Sequence, residues 1–262
     1  MQVATNGTTL YAEQEGDGPS LVFVHGMCGD ARVWAGQVER LRDRFSCTSY
    51  DRRGHTRSPR TDVAETIALH ADDLAGLITA LDLGPTVIVG SSGGARISLD
   101  LIRRHPDLVV GAVLSEPPVA GLAPEDIPAM MGAVAPSVQR AAETDGPRAA
   151  VDTFFAALCP GLWAEIDEVQ RDRYRDNAAT MFTEFSMPPY VIGRDDVSSI
   201  KVPTLVISGT SSHAALQVAA HNLAAWLPDA RYLDLDCGHV TYAEQPDAFA
   251  RAVAAFATEL TA

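Results

Sequence analysis

Thr86-Val87-Ile88-Val89-Gly90-Ser91-Ser92-Gly93-Gly94 passes from a short apolar run into a knot of small residues. The run has the β-branched composition of a buried strand, and a helical pattern follows from about Ser92 to Arg104, stopped by Pro106. Between them, glycines at 90 and 94 let neighbouring chains approach while a cramped turn lifts the Ser92 hydroxyl clear of the sheet. A Gly-x-Ser-x-Gly string is common by chance, and its bland alternative is a tight turn of small residues. After a strand and before a helix it is the setting that presents a nucleophile. Ser91 lies outside the central position and is assigned to packing or hydrogen bonding.

Outward from this point the chain keeps the same rhythm. Leu21 to Val24 reads as a buried strand ending at His25-Gly26, and Asp30 is placed to cap a helix through Leu41. Phe45 to Tyr50 is the next strand, ending at Asp51-Arg52-Arg53-Gly54. Thr66 to Leu83 is helical, because Ile67, Ala71, Leu74, Ile78 and Leu81 share a face. Val109 to Leu114, Pro203 to Ser208 and Arg231 to Leu235 are further strands, and a closing helix runs from about Pro246 to Leu260. Continuous apolar strands alternating with helices specify an α/β fold with a doubly wound, mostly parallel sheet. Residues 8–15 alternate and add an antiparallel edge.

One segment breaks the rhythm. From Pro117 to about Val197 no strand is evident, while Val151, Phe154, Phe155 and Leu158 follow one helical face. Residues 1–116 and 198–262 are therefore read as the core, and 117–197 as an inserted helical lid.

A serine hydroxyl needs an imidazole to remove its proton, since its own acidity is far too weak at neutral pH. His239, in Cys237-Gly238-His239 directly after the final strand, is the candidate base. His70 and His105 lie on helices, His55 and His221 are expected on the surface, and His213 is held in reserve. The loop His25-Gly26-Met27-Cys28-Gly29 offers an oxyanion site, in which backbone amides of Met27 and Gly93 converge. His25 is expected to hold that loop by hydrogen bonds. Cys28 lacks the turn geometry of a nucleophile and is assigned to the pocket or to packing.

Taken together, His25-Gly-x-x-Gly29, Asp51-x-Arg53-Gly54-x-x-x-Ser58, Gly90-x-Ser92-x-Gly94 and Gly238-His239 resemble, in this order, the α/β-hydrolase superfamily over nearly the whole chain. Thr56 stands where a glycine is common. More important, most relatives place a triad aspartate in the loop that corresponds to Ile207-Ser208-Gly209-Thr210-Ser211-Ser212-His213, and this loop contains no carboxylate. The imidazole still needs a partner to set its tautomer and stabilise its cation. Glu116, in Leu114-Ser115-Glu116-Pro117-Pro118, lies one strand from the serine turn at the same carboxyl edge of the sheet. In this respect the chain is similar to the fungal zearalenone lactonases, which pair such a glutamate with the serine. The alternative for Glu116 is a salt-bridged loop residue. Asp195 and Asp196 would serve only if the lid's end folded back, and Asp234 and Asp236 read as strand-end residues.

Arg53 is expected to fix the floor of the site through a carboxylate, and Arg52 to meet either solvent or an anionic substrate. Gly26, Cys28, Trp163, Phe182, Met187, Tyr190 and Val240 are the candidate pocket residues, and Met130, Met131 and Phe185 are further candidate walls in the lid. A methionine or aromatic stripe at helical spacing is more often lid core than substrate contact.

A formal net charge of −14 argues against nucleic acid or an anionic membrane as partners. The start of the chain has no signal-peptide pattern, and no stretch is apolar enough to span a membrane. Cys28, Cys47, Cys159 and Cys237 lack metal-site spacing and read as thiols of a cytoplasmic protein, monomeric or homodimeric. No metal or cofactor is expected. The residues point to hydrolysis of a small hydrophobic ester or lactone through an acyl-enzyme on Ser92. Carbon–carbon bond hydrolysis, a lyase or perhydrolase reaction, and small-molecule binding with little turnover are the rival readings.

Overall fold

The computed structural model describes residues 1–261. Its strands are β1 (Gln2–Thr5), β2 (Thr8–Glu15), β3 (Ser20–Val24), β4 (Ser46–Tyr50), β5 (Thr86–Ser91), β6 (Val109–Ser115), β7 (Thr204–Gly209) and β8 (Ala230–Leu235). They form one sheet in the order β1-β2-β4-β3-β5-β6-β7-β8. β1 and β2 pair antiparallel, as do β2 and β4, and every other pairing is parallel. Every residue of β5 and of β7 is buried, as parallel strands covered by helices on both faces require. The alternating segment at 8–15 is a strand, but the sheet edge beside it is β1. Four residues with two buried positions give too short a pattern for β1 to be read from sequence.

The helices in chain order are α1 (Ala35–Leu41), α2 (Ile67–Ala80), α3 (Gly93–Arg104), α4 (Asp126–Asp145), α5 (Pro147–Leu158), α6 (Pro160–Glu165), α7 (Glu168–Asp176), α8 (Ala178–Ser186), α9 (Arg194–Ser199), α10 (Ala214–Trp226), α11 (Thr241–Glu244) and α12 (Pro246–Thr261). Thr66 caps α2 by accepting the Leu69 amide at 3.0 Å. Helices α4 to α9 fill the chain between β6 and β7, so the helical insertion extends to Ser199. Its own core joins Phe155 stacked on Trp163, ring centroids 4.9 Å apart, with Tyr174 at 4.8 Å from Phe155. None of the helices is long and apolar enough to cross a membrane, among the described residues.

The loop after β4 is anchored by buried charges. Arg53 grips Asp73 of α2 in a bidentate pair, Nε to Oδ2 at 2.7 Å and Nη2 to Oδ1 at 2.6 Å, with both side chains almost fully buried. Asp51 accepts the Ala31 amide at 2.8 Å and the Arg57 Nε at 2.7 Å, joining this loop to the one after β3. Two strand ends are thereby held in a set relation beside the serine turn.

Removing Asp73 would strand a buried guanidinium. Asp73→Ala is expected to lower the free energy of unfolding by about 3–5 kcal/mol, measured by urea denaturation. A Cβ on Gly94 would collide with the Val24 carbonyl oxygen, which is rigid sheet backbone. Gly94→Ala is therefore expected to express poorly or to lose its cooperative thermal transition, as followed by circular dichroism.

Candidate active site

Ser92 sits at the sheet's carboxyl edge between β5 and α3, with φ 54° and ψ −120°. An L-residue enters that region of backbone space only under strain, and such strain persists where surrounding contacts impose it. Here the contacts are visible. The Ser92 amide donates to the Ser115 carbonyl at 2.9 Å, and the Ser92 carbonyl accepts from Ala95 at 3.0 Å and Arg96 at 3.2 Å. Gly90 is required for the same reason as Gly94: a Cβ there would stand 2.8 Å from the backbone carbonyl oxygen of Gly94.

The register that pairs Ser91 with Ser115 brings the residue after β6, Glu116, to the neighbouring strand end. Glu116 is completely buried, also at positive φ (45°), and its carboxylate accepts four hydrogen bonds. Ser208 Oγ and the Gly209 amide donate to Oε1, each at 2.8 Å. Ser212 Oγ and His239 Nδ1 lie 2.6 Å from Oε2. A carboxylate offers only acceptor sites, so its contact with Nδ1 places the imidazole proton there and leaves Nε2 able to accept one. Neither Ser92 Oγ nor His239 Nε2 has a hydrogen-bond partner among the described residues, and both residues border the same cavity.

Met27 and Gly93 are brought together as well. A Cβ placed on Gly93 would lie 3.5 Å from the Met27 amide nitrogen, so the two backbone amides flank the space beside Ser92. The loop that carries Met27 is held from behind. His25 Nδ1 donates to Gly26 O at 2.9 Å, and His25 Nε2 accepts the Arg52 amide at 3.0 Å. Burial, reinforced by the Arg52 charge, pushes the His25 pKa well below the ordinary range, which keeps this link neutral. From the helical insertion, Asn177 Nδ2 donates to the carbonyls of Cys28 (3.2 Å) and Gly29 (3.1 Å).

The cavity at Ser92 measures about 350 Å³. Its walls are mainly apolar, including Ile127, Met130, Met131, Phe154 and Phe185. A second group of residues at its edge was not legible as a unit in the sequence. Glu184 of α8 is buried between two arginines: Oε1 meets Arg52 Nη2, and Oε2 accepts Arg96 Nη2 at 3.0 Å. Burial by itself would raise the Glu184 carboxyl, but the Arg52 and Arg96 charges outweigh it and hold it at about 2. Arg52 is thus a buried ion-pair partner, and the solvent-facing alternative for it is corrected. His55, expected on the surface, is also buried; its Nδ1 donates to Arg53 O at 2.9 Å and its Nε2 accepts from Arg52 at 3.1 Å. Arg52 is made tolerable inside by a partner 132 positions away, Glu184, whereas the hydrogen bonds of His55 are satisfied within its own loop.

Of the sequence-predicted pocket residues, Tyr190 lines the main cavity. Gly26 and Val240 border a smaller space that also touches Ser92 and His239. Cys28 faces a separate cavity with Asp30, Arg32 and Tyr174, and burial pushes its thiol pKa up, away from nucleophilic chemistry. Trp163, Phe182 and Met187 line neither space at Ser92 and pack against the hydrophobic core instead. Helical spacing identifies a buried face without saying which side of the insertion it meets. Met130, Met131 and Phe154 from α4 and α5 take the wall positions. Asp196 binds the Gly193 amide at 3.0 Å, and Asp236 accepts Thr210 Oγ1 at 3.2 Å, so neither serves His239.

Comparison with known proteins agrees with this geometry. The chain is 38% identical over 105 residues to a 2-(acetamidomethylene)succinate hydrolase of Mesorhizobium japonicum, a match spanning 40% of this chain and 38% of that one. An enol-lactonase from Burkholderia xenovorans superposes with a TM-score of 0.79 at 27% identity, covering 98% of this chain and 100% of that one. A thermophilic esterase from Thermogutta terrifontis has the same fold, with a TM-score of 0.81 at 23% identity over 100% of this chain and 99% of its own. The family model of the alpha/beta hydrolase fold matches residues 19–246, and with the serine turn, the sheet order and the histidine loop in place, the chain belongs to that family.

Proposed function

We propose that the chain is a serine hydrolase that cleaves a small ester or lactone with an apolar body, through an acyl-enzyme on Ser92. The observation that carries this reading is the Glu116 carboxylate, whose contact with His239 Nδ1 leaves Nε2 as the base for a serine held on a strained turn. Ser92 Oγ attacks the carbonyl carbon while His239 takes its proton, and Glu116 stabilises the imidazolium. The Met27 and Gly93 amides receive the oxyanion, donors of a kind typically worth about 3–4 kcal/mol in the transition state. His239 then protonates the leaving alkoxide. In the second half it removes a proton from water, which attacks the acyl-enzyme and releases Ser92. In a lactone the leaving alcohol stays tethered to the acyl group.

The cavity favours this substrate class. Its size and apolar walls suit a compact organic acyl group, and the insertion at 117–197 acts as a lid that supplies most of those walls. The enol-lactonase similarity supports a lactone or ester. The loop after β7, where relatives carry an aspartate, here supplies Ser212 as a donor to Glu116, beside Ser208 and Gly209 at the end of β7 itself. The missing acid is replaced from the adjacent strand, and the vacated loop holds the replacement.

Ser92→Ala is expected to reduce kcat on a 4-nitrophenyl ester by at least about 10⁴-fold and to abolish fluorophosphonate labelling, read by intact mass. Glu116→Gln places an amide where four donors converge, so His239 loses its enforced tautomer. Its labelling rate is expected to fall by about 10³- to 10⁴-fold while circular dichroism still shows a folded protein. Equal labelling of wild type and Glu116→Gln would remove Glu116 from the mechanism.

A further inference from the structure

Arg52 and Arg96 share the one carboxylate of Glu184. His25 and His55 beside them are kept neutral by burial and by the Arg52 charge, so they add nothing to the balance. The cluster therefore holds one positive charge in excess. The two arginines are not equivalent. Arg52 is fully buried, whereas a fifth of the Arg96 side chain is exposed and lines the cavity. Among the described residues around that cavity, Arg96 is the sole guanidinium and Glu184 the sole carboxylate.

Arg96 is also under-used. Its side chain makes a single protein hydrogen bond, from Nη2 to Glu184. Among the described residues, its Nε is buried without an acceptor and no group accepts from Nη1. If Arg96 served only to neutralise Glu184, it would duplicate Arg52 and add the cost of desolvating a second cation. Its position gives it another use. Arg96 follows Ser92 by one turn of α3, and its Nη2 lies 3.7 Å from a Cβ placed on Gly93, beside the oxyanion amides. An anion held there would sit a few bonds from the reacting carbonyl.

We propose that Arg96 anchors an anion subsite, so that the ester or lactone cleaved at Ser92 carries a carboxylate on a short acyl chain. The apolar walls take the hydrocarbon part, and the unpartnered Nη1 donates to the carboxylate in a charge-assisted hydrogen bond. Glu184 fixes the guanidinium plane without cancelling the charge, because Arg52 already balances it. This inference rests on the reading of Ser92 as a nucleophile for its kinetic test, and a binding test separates the two.

The kinetic test compares kcat/KM for mono-4-nitrophenyl glutarate with that for 4-nitrophenyl 5-methylhexanoate, in which an isopropyl group replaces the carboxylate. Wild type is expected to favour the glutarate by about 10- to 100-fold, the range of one charge-assisted pair. Arg96→Gln is expected to erase that preference, and Arg96→Lys to restore part of it, which a purely structural role would not do. A wild type with no preference for the charged ester, or a preference that survives Arg96→Gln, overturns the proposal. The binding test titrates Ser92→Ala with monomethyl glutarate and with methyl 5-methylhexanoate by calorimetry, so it needs neither turnover nor a folded Arg96 variant. Tighter binding of the anion by about 10-fold or more supports the subsite, and equal binding overturns it. Absence of fluorophosphonate labelling in wild type would overturn the serine-hydrolase reading alone, and the titration would still decide the subsite.

Discussion

The site depends on one buried carboxylate. Glu116 takes donors from the end of β7, from the loop that follows it and from the histidine after β8, while its own backbone leaves β6. A buried carboxylate with fewer donors would be costly, because unmet lone pairs in a low-dielectric interior lose their solvation without return. With each site filled, the same burial becomes an asset: it fixes the imidazole's tautomer and the relation of neighbouring strand ends. Ser208 and Ser212 are therefore as much a part of the arrangement as His239, although neither could touch a substrate through Glu116.

The turn at Ser92 is the complementary constraint. Its positive φ is maintained because Gly90 and Gly94 admit neighbours that any side chain would exclude, and because its amide is tied to Ser115. Strain at Ser92 and saturation at Glu116 are set by adjacent strands, β5 and β6, whose register is shared. Parallel pairing aligns their carboxyl ends, and in this class of sheet that edge is where loops converge.

A second set of buried charges binds the helical insertion to the core. Glu184 reaches from α8 to Arg52 behind the loop that carries Met27 and to Arg96 on α3, and Asn177 caps the carbonyls of Cys28 and Gly29. These contacts come from residues about 90 to 150 positions apart in the chain. They bring Arg96 and Glu184 to the edge of a cavity whose other walls are mainly apolar.

The sequence by itself determined the sheet class, the strand-turn-helix at Ser92, the histidine after the last strand and the helical insertion. Each is encoded locally, in runs of buried β-branched residues, in glycine spacing or in helical periodicity. Glu116 could be singled out because a carboxylate was missing from one loop and a glutamate stood at the strand end next to the serine turn. What only the tertiary structure decided was which side chains share a space. β1 has too few residues for a pattern, Trp163, Phe182 and Met187 face the core and not the cavity, and Arg52 is buried against Glu184 from another element. The Arg52–Glu184–Arg96 cluster has no signature at any fixed spacing. Periodicity reports that a face is buried, but the identity of the group it meets depends on how distant elements pack.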